Sequence, residues 1–265
     1  MSTAHGTTAL PARRLTTARV LRSEWHKLWT LRSSWITLLT ASVLTLGIGL
    51  FMGGTYESDG SDSDVDVVVI VLIGMQFSQV ALAVLGILCT AGEYANGMVR
   101  ASLTAVPRRL PVLWSKAAVF GSVVLVLTTA THLVTFLGAQ AFLHDTDQAA
   151  SLGDPGVLRA VLGSAAGLTL LGLTALGLGA LLRSVPGAIG AFVVAVLALP
   201  EVIGLLPYEA VRDAVAYFPA QCLRALGSAH PVPDAASPAT ALLALALWAA
   251  GTLALAGTLL KRRDV

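Results

Sequence analysis

Six stretches of 17 residues or more contain no Asp, Glu, Lys or Arg, and they limit the possible folds of this chain more than any other feature. They cover residues 33–56, 67–92, 117–143, 160–182, 184–200 and 235–260. A helix needs about 20 apolar residues, with a range of roughly 17–25, to cross the hydrocarbon core of a bilayer. Five stretches reach that length, and the apolar pattern of 184–200 continues past Glu201 to Leu206. The chain is therefore predicted to be an all-α integral membrane protein with six transmembrane helices.

The composition agrees with this class, because only 12% of the residues are charged, against about 25% in a soluble domain. We predict spans at about 35–54, 67–91, 112–143, 157–182, 187–206 and 238–260. Residues 1–14 are predicted to be disordered and 15–32 to form a cytoplasmic interfacial helix. Residues 33–260 then form the transmembrane domain, and 261–265 form a cytoplasmic tail.

The basic residues predict the orientation of the six spans. With the N-terminus inside, all but three of the 17 Lys and Arg residues lie on the inner side, the exceptions being Arg159, Arg212 and Arg224. Lys and Arg favour the cytoplasmic side of a membrane. An arrangement with both termini in the cytoplasm is therefore expected, in the cell (plasma) membrane.

The segment before the first span carries a two-sided helical pattern. Trp25 lies on an apolar face, while Glu24 and Lys27 are spaced to pair one turn apart and Arg32 follows near the end. A basic amphipathic helix with Trp on its apolar face is typical of the membrane interface. The alternative is a solvated stem that only follows the positive-inside rule.

The segment between spans 2 and 3 is basic and also two-sided. Residues 93–105 carry one apolar stripe and one polar stripe at helical spacing. Pro107 disfavours a helical conformation at Val106, and the basic pair Arg108 and Arg109 follows. We predict a short amphipathic helix on the inner face over 93–105. A plain positive-inside loop would explain the charges but not the two-sided pattern.

The outer connection between spans 5 and 6 is the longest of the outer connections. Apolar residues recur at helical spacing from Tyr208 to Phe218, between Pro207 and Pro219. We predict one amphipathic helix here on the outer face, followed by a proline-rich strap. An ordinary surface helix packed on the span ends is the alternative.

Small residues recur within the spans. Gly49 and Gly53 have the G-x-x-x-G spacing, as do Gly163 and Gly167. Small residues let helices approach closely in lipid. The pattern fits packing within one chain or a contact between two copies.

Few strongly polar side chains lie inside the predicted spans. His132 can line a pathway or hydrogen-bond to a neighbouring helix, and Glu201 can act in a pathway or reach the outer interface. Gln76 and Gln79 share a face of span 2, where hydrogen bonding between helices is the simplest interpretation. These four residues are the candidates for a pathway or a helix contact.

The chain lacks the motifs that would carry catalysis. It has no G-x-x-x-x-G-K-[ST] loop for ATP, no H-E-x-x-H and no G-x-S-x-G. No cluster of acids or of Ser, His and Asp stands out. We therefore expect neither an enzyme nor a bound cofactor or metal on this chain. The scarcity of buried carboxylates also disfavours a proton-driven pump.

Three segments together resemble the membrane subunits of type 2 ABC exporters, the ABC-2 permeases. They are RSEWHKLWTLRSSW at 22–35, EYANGMVRASLTAVPRRLPVLWSK at 93–116, and the closing RRDV. The six-span layout and the long outer segment before span 6 fit as well. The resemblance covers nearly the whole chain.

The resemblance implies a transport subunit that works with a separate cytoplasmic ATPase, which would hold the ATP and Mg²⁺. In that family a coupling helix between spans 2 and 3 docks on the ATPase, the N-terminal helix packs beside it, and two membrane subunits enclose the pathway. A second copy or a homologue is therefore an expected partner, and nucleic acid is not. The residues of this chain that would form the coupling segment are Glu93, Tyr94, Gly97, Arg100, Arg108 and Arg109.

A different class of function fits the same basic inner face. A membrane anchor or sensor that transports nothing would also need an inner surface for a soluble partner. The cargo, and the choice between a homodimer and a heterodimer, are open at this point.

Overall fold

A computed structural model describes residues 16–56, 66–95 and 109–262 of the chain. Within these ranges the chain is helical, with short connections and no strand. The helices are α1 (Thr17–Thr30), α2 (Arg32–Gly54), α3 (Val67–Val71), α4 (Met75–Ala95), α5 (Arg109–Leu143), α6 (Val157–Leu182), α7 (Val185–Phe192), α8 (Leu199–Gly204), α9 (Glu209–Val215), α10 (Pro219–Leu226) and α11 (Pro238–Arg262).

Six helical segments of the described chain are long and apolar enough to cross a membrane, as the sequence predicts. They are α2, α4, α5, α6, the segment from Val185 to Gly204, and α11. The predicted all-α, multi-pass class is therefore confirmed at the level of helix number and hydropathy.

Helix α6 is the most buried of the six and forms the centre of the bundle. It packs most extensively against α4 and α11. At Gly86, an added Cβ would lie 2.5 Å from the carbonyl oxygen of Gly172, so α4 and α6 meet backbone to backbone. This close approach is the packing that small residues allow in lipid.

The two G-x-x-x-G pairs also pack within the chain. A Cβ added at Gly53 would lie 3.0 Å from the Cβ of Ala139, and one at Gly167 would lie 2.8 Å from the Leu223 side chain. Gly163 likewise faces Leu226. These glycines therefore serve contacts between helices of one copy, which decides between the two interpretations of the pattern.

The second span is not one continuous helix over 67–91. The short helix α3 ends at Val71, a turn covers 72–74, and α4 begins at Met75. At Gly74 an added Cβ would lie 2.7 Å from the carbonyl oxygen of Leu44 and 2.8 Å from the Cα of Thr45. The turn therefore lies where it contacts the backbone of α2. The pattern of apolar residues in the sequence does not indicate this tertiary contact.

The fifth span is also interrupted. Its helix widens into a π-helical segment over Val193–Ala198 before α8 begins. Pro200 has no N–H group, and its ring crowds the carbonyl four residues earlier. A proline at this point accounts for the local change in helical hydrogen bonding.

The outer connection contains two helices where the sequence predicts one. Helix α9 ends at Val215, and Pro219 begins α10 rather than only ending the preceding helix. Proline suits the first helical position because the N–H group it lacks would have no partner there. Helix α10 is mostly buried against α6 and α11.

Asp66 connects the segment that follows α10 to the start of α3 through hydrogen bonds. One carboxylate oxygen accepts hydrogen bonds from the Ser228 hydroxyl at 2.7 Å and from the backbone N–H groups of Ala229 and His230 at 2.6 and 2.9 Å. The other accepts from the N–H of Val68 at 2.9 Å. Burial alone would raise the pKa of Asp66, but these hydrogen bonds outweigh it and hold the pKa below 3.8.

Candidate functional site

Four charged side chains from three helices meet at the end of the bundle that carries α1. Lys27 Nζ lies 2.8 Å from Glu24 Oε1 and 3.1 Å from Glu93 Oε1. Lys116 Nζ lies 2.5 Å from Glu24 Oε2 and 2.8 Å from Glu93 Oε1. Each carboxylate thus contacts both ammonium groups. We refer to these residues, Glu24, Lys27, Glu93 and Lys116, as the four-charge network.

The four-charge network is largely withdrawn from solvent. The side chain of Glu24 is 4% exposed, that of Lys116 is 10% exposed, and those of Glu93 and Lys27 are 15% and 24% exposed. Two acids and two bases balance in charge, which is the condition for keeping charged groups buried. Removing one partner of a buried ion pair typically destabilises a protein by about 3–5 kcal/mol. The network therefore holds the relative positions of α1, α4 and α5.

Local sequence explains how α1 delivers its two charges. Val20, Glu24 and Leu28 recur every four residues and form the buried face. Lys27 lies one turn after Glu24. The helix stops at Thr30, Leu31 takes an extended conformation, and α2 begins at Arg32. A single extended residue, Leu31, therefore joins α1 to α2, the helix of the first span.

The other two charges lie at the ends of long helices. Glu93 is in the last turn of α4, because this helix continues beyond the apolar run to Ala95. Lys116 lies about two turns into α5, which is 35 residues long. A helix of that length extends about 52 Å, against a hydrocarbon core of about 30 Å. The start of α5 can therefore project beyond the core and carry a lysine.

A cavity of about 240 Å³ adjoins the four-charge network. Besides the four charged side chains, its walls include Ser33, Ser34 and Cys89. This volume exceeds what one water molecule needs. The cavity is therefore large enough to hold water beside the charged groups.

Tyr94 forms a second contact at the end of α4. The guanidinium carbon of Arg183 lies 4.9 Å from the centre of the Tyr94 ring, within the range of a cation–π interaction. Arg183 follows α6 and has a positive φ of 54°, which turns the chain toward α7. Glu93 and Tyr94 are adjacent. The end of α4 therefore contacts α1 and α5 through Glu93, and the α6–α7 turn through Tyr94.

The remaining residues of the predicted coupling segment lie at or beyond the limit of description. Gly97, Arg100 and Arg108 are outside the described residues, and so is most of the predicted helix 93–105. Arg109 is the first residue of α5. Glu93 and Tyr94 belong to the helix of the second span rather than to a separate helix that begins at 93.

The N-terminal residues named from the sequence take different roles. Glu24 and Lys27 join the network, whereas Trp25 is exposed and its ring centre lies 5.8 Å from that of Trp29. Arg32 is exposed at the first position of α2. Helix α1 lies within the range 15–32 predicted for an interfacial helix, and its buried face is formed by Val20, Glu24 and Leu28.

The four pathway candidates do not converge on one site. His132 is buried, and its Nδ1 lies 2.8 Å from the Ser164 hydroxyl of α6, which is the helix contact considered above. The Gln79 amide donates to the Gln76 carbonyl oxygen at 2.9 Å within α4, so this bond lies inside one helix. Glu201 pairs with Arg224 of α10 at an exposed position.

Sequence reasoning omitted two residues from the candidate site, Lys116 and Arg183. The sequence gives one indication that Lys116 belongs to the site. It is a single lysine before a long apolar run, and two acids that could pair with it, Glu24 and Glu93, occur in the neighbouring segments. As a basic residue, Arg183 contributes only to the predicted orientation. No pattern in a single sequence indicates that it contacts Tyr94.

The described residues contain no group of three or more His, Cys, Asp or Glu side chains that could hold a metal ion. The contacts described at this site are those of largely buried ion pairs between helices. Comparisons with known proteins assign no family: no protein-family model, curated protein or solved structure matches the chain. Residues and contacts are the basis for a functional proposal.

Proposed function

We propose that this chain is the membrane subunit of an ATP-driven exporter of the ABC-2 class. It would form the translocation pathway and couple to a separate cytoplasmic ATPase. The observation that carries the proposal is the four-charge network. It joins the N-terminal interfacial helix to both ends of the basic segment 96–108, through Glu93 on one side and Lys116 on the other.

In the proposed mechanism the four-charge network makes α1, α4 and α5 move together. An ATPase docked on segment 96–108 pulls or pushes on the ends of α4 and α5 when it closes around ATP. Helix α4 packs on α6, and α5 packs on α2 and α6, so displacement at the inner ends reaches the whole bundle. Allosteric coupling requires one element with two arrangements that both sites bias. In this proposal the unit formed by α1, α4 and α5 is the element with two arrangements.

The chemistry of ATP hydrolysis belongs to the partner in this proposal. The chain has no phosphate-binding loop of the G-x-x-x-x-G-K-[ST] type. ATP and Mg²⁺ are then held by the ATPase, and this chain carries no cofactor of its own.

A second copy or a homologue completes the proposed pathway. Three of the candidate spans, α2, the 185–204 segment and α11, keep most of their surface uncovered by the chain itself. Exposed apolar side chains on these spans include Leu39, Val202 and Leu247. Such faces meet lipid or another membrane subunit.

The proposal is tested on a purified complex with the partner ATPase in lipid vesicles. The chain alone is expected to hydrolyse no ATP, and the complex is expected to hydrolyse ATP at a rate that depends on the four-charge network. Glu93→Gln is expected to uncouple ATP hydrolysis from conformational change. Glu209→Gln removes an exposed carboxylate on α9 and is the matched control. Wild-type coupling in Glu93→Gln would count against the proposal.

The anchor or sensor module is the second candidate, because the basic inner segment would serve it equally well. Spin labels at Ala95 and Tyr56, which lie at opposite ends of the spans, distinguish the two. An exporter changes the distances between its two subunits at both ends during ATP turnover, and in opposite directions. A docking module shows no such opposite change.

A further inference from the structure

An apolar groove runs along the outside of the bundle between α1, α2 and α5. Its volume is about 710 Å³, and its walls include Trp25, Trp29, Trp35, Leu39 and Val126. These five side chains are between 44% and 70% exposed. The groove shares no lining residue with the cavity at the four-charge network.

The hydroxyl groups in the groove are already engaged. Ser42 Oγ donates to the carbonyl of Leu38 at 3.1 Å, and Ser122 Oγ donates to the carbonyl of Val119 at 3.0 Å. Thr131 Oγ1 donates to Ser42 Oγ at 3.2 Å. A ligand in the groove thus meets aliphatic and aromatic surface. Each of these three hydroxyl groups already donates to an acceptor within the protein. Such a surface suits a hydrocarbon chain.

The groove covers about two thirds of the depth of one leaflet. It begins at the indoles of α1 and reaches the hydrogen-bonded pair of Ser42 and Thr131. From Trp35 to Ser42 the helix rises about 10 Å, against about 15 Å for half of a hydrocarbon core. Trp is typical of the membrane interface, so Trp25, Trp29 and Trp35 mark the headgroup end.

The charges at the headgroup end are positive. Arg22 lies one turn before Trp25 on α1, Arg32 lies one turn before Trp35 on α2, and both are exposed. The acid of α1, Glu24, points instead into the four-charge network and is buried. The mouth of the groove is therefore basic, and its wall is apolar.

We propose that this groove binds an anionic phospholipid, with one acyl chain along α2 and α5 and the phosphate at Arg22 and Arg32. Basic residues near an anionic membrane surface each contribute roughly 1 kcal/mol, which is about fivefold in affinity. The site prefers anionic over zwitterionic lipid of the same chain length. It does not depend on an ATPase or on transport.

Tryptophan fluorescence gives a direct test. The chain has five Trp residues, of which only Trp114 and Trp248 lie outside the groove wall. In a Trp114→Phe, Trp248→Phe variant the remaining indoles report on the groove. The probes are phosphatidylglycerol and phosphatidylcholine with brominated acyl chains, each at the same low mole fraction in nanodiscs of phosphatidylcholine. Bromine quenches an indole that it contacts.

Stronger quenching by brominated phosphatidylglycerol is expected, and Arg22→Gln with Arg32→Gln is expected to abolish the preference. Ala130→Phe, which fills the groove wall, should weaken quenching by both lipids. Ala250→Phe on α11 is an equally exposed control and should leave quenching unchanged. Equal quenching by the two lipids would overturn the proposal, as would a preference that survives loss of both arginines. Absence of quenching, with a second copy cross-linked through the groove, would also overturn it.

Discussion

Lys116 Nζ lies 2.5 Å from Glu24 Oε2, although 92 residues separate the two in the chain. This contact links α1 directly to the start of α5. Glu93 shares the same lysine at 2.8 Å, so the helices on both sides of the basic inner segment are tied to α1. The contacts of Glu24 and Glu93 with Lys116 thus join three helices, α1, α4 and α5.

The first prediction concerns the energetics of the four-charge network. Lys116→Met leaves two buried carboxylates that share one lysine, and we expect a loss of about 3–5 kcal/mol in the free energy of unfolding. Glu24→Gln with Lys116→Met should lose less than the sum of the single changes, because the two groups interact. Unfolding in detergent micelles measures all three variants. Strictly additive losses would show that the two side chains do not interact energetically.

The second prediction concerns the end of α4. Tyr94→Phe keeps an aromatic face for Arg183, so Tyr94→Leu should lose roughly 0.5–2 kcal/mol more stability than Tyr94→Phe. Melting temperatures of the two variants in the same detergent provide the measurement. If phenylalanine and leucine destabilise the protein equally, the ring face of Tyr94 is not what holds Arg183.

The third prediction concerns pH and Asp66. Its folded pKa is lowered from 3.8 by hydrogen bonds to the carboxylate. Its stabilisation is therefore fully present above about pH 4 and is lost as the pH falls from there through the folded pKa. Asp66→Asn should reduce stability at pH 7, by about 1–3 kcal/mol, and should flatten the decline below pH 4.

Thermal unfolding between pH 3 and pH 7 tests this behaviour. Asp213→Asn is the matched control, because Asp213 is an exposed acid on α9. A decline below pH 4 that is equally steep in Asp66→Asn and in wild type would assign the acid sensitivity to other groups.

Helix number was accessible from the sequence because each span needs a long run without charge. The sequence predicts the fourth span at about 157–182, and α6 covers Val157–Leu182. The break before α4 was not predictable, because it depends on Gly74 meeting the backbone of α2. Pro219 was interpreted as a helix end, although proline equally begins a helix, as it does in α10.

The candidate site was accessible only in part. The pairing of Glu24 with Lys27 follows from helical spacing and is present at 2.8 Å. The contacts of Glu93 and Lys116 with that pair depend on how three helices pack, and a single sequence carries no record of that packing. For the same reason the sequence could name Glu201 as a polar residue of span 5 but could not reveal its partner on α10.

The central claim is that a cytoplasmic ATPase docks on the basic inner segment, and cross-linking tests it most directly. A photoreactive amino acid is placed at Arg100 in the full-length protein in its native membrane. The same probe at Arg262, another inner basic position by the predicted orientation, is the control. We predict that Arg100 yields an adduct containing an ATP-hydrolysing subunit and that Arg262 does not. Adducts with lipid alone, or with a protein that does not hydrolyse ATP, would contradict the claim.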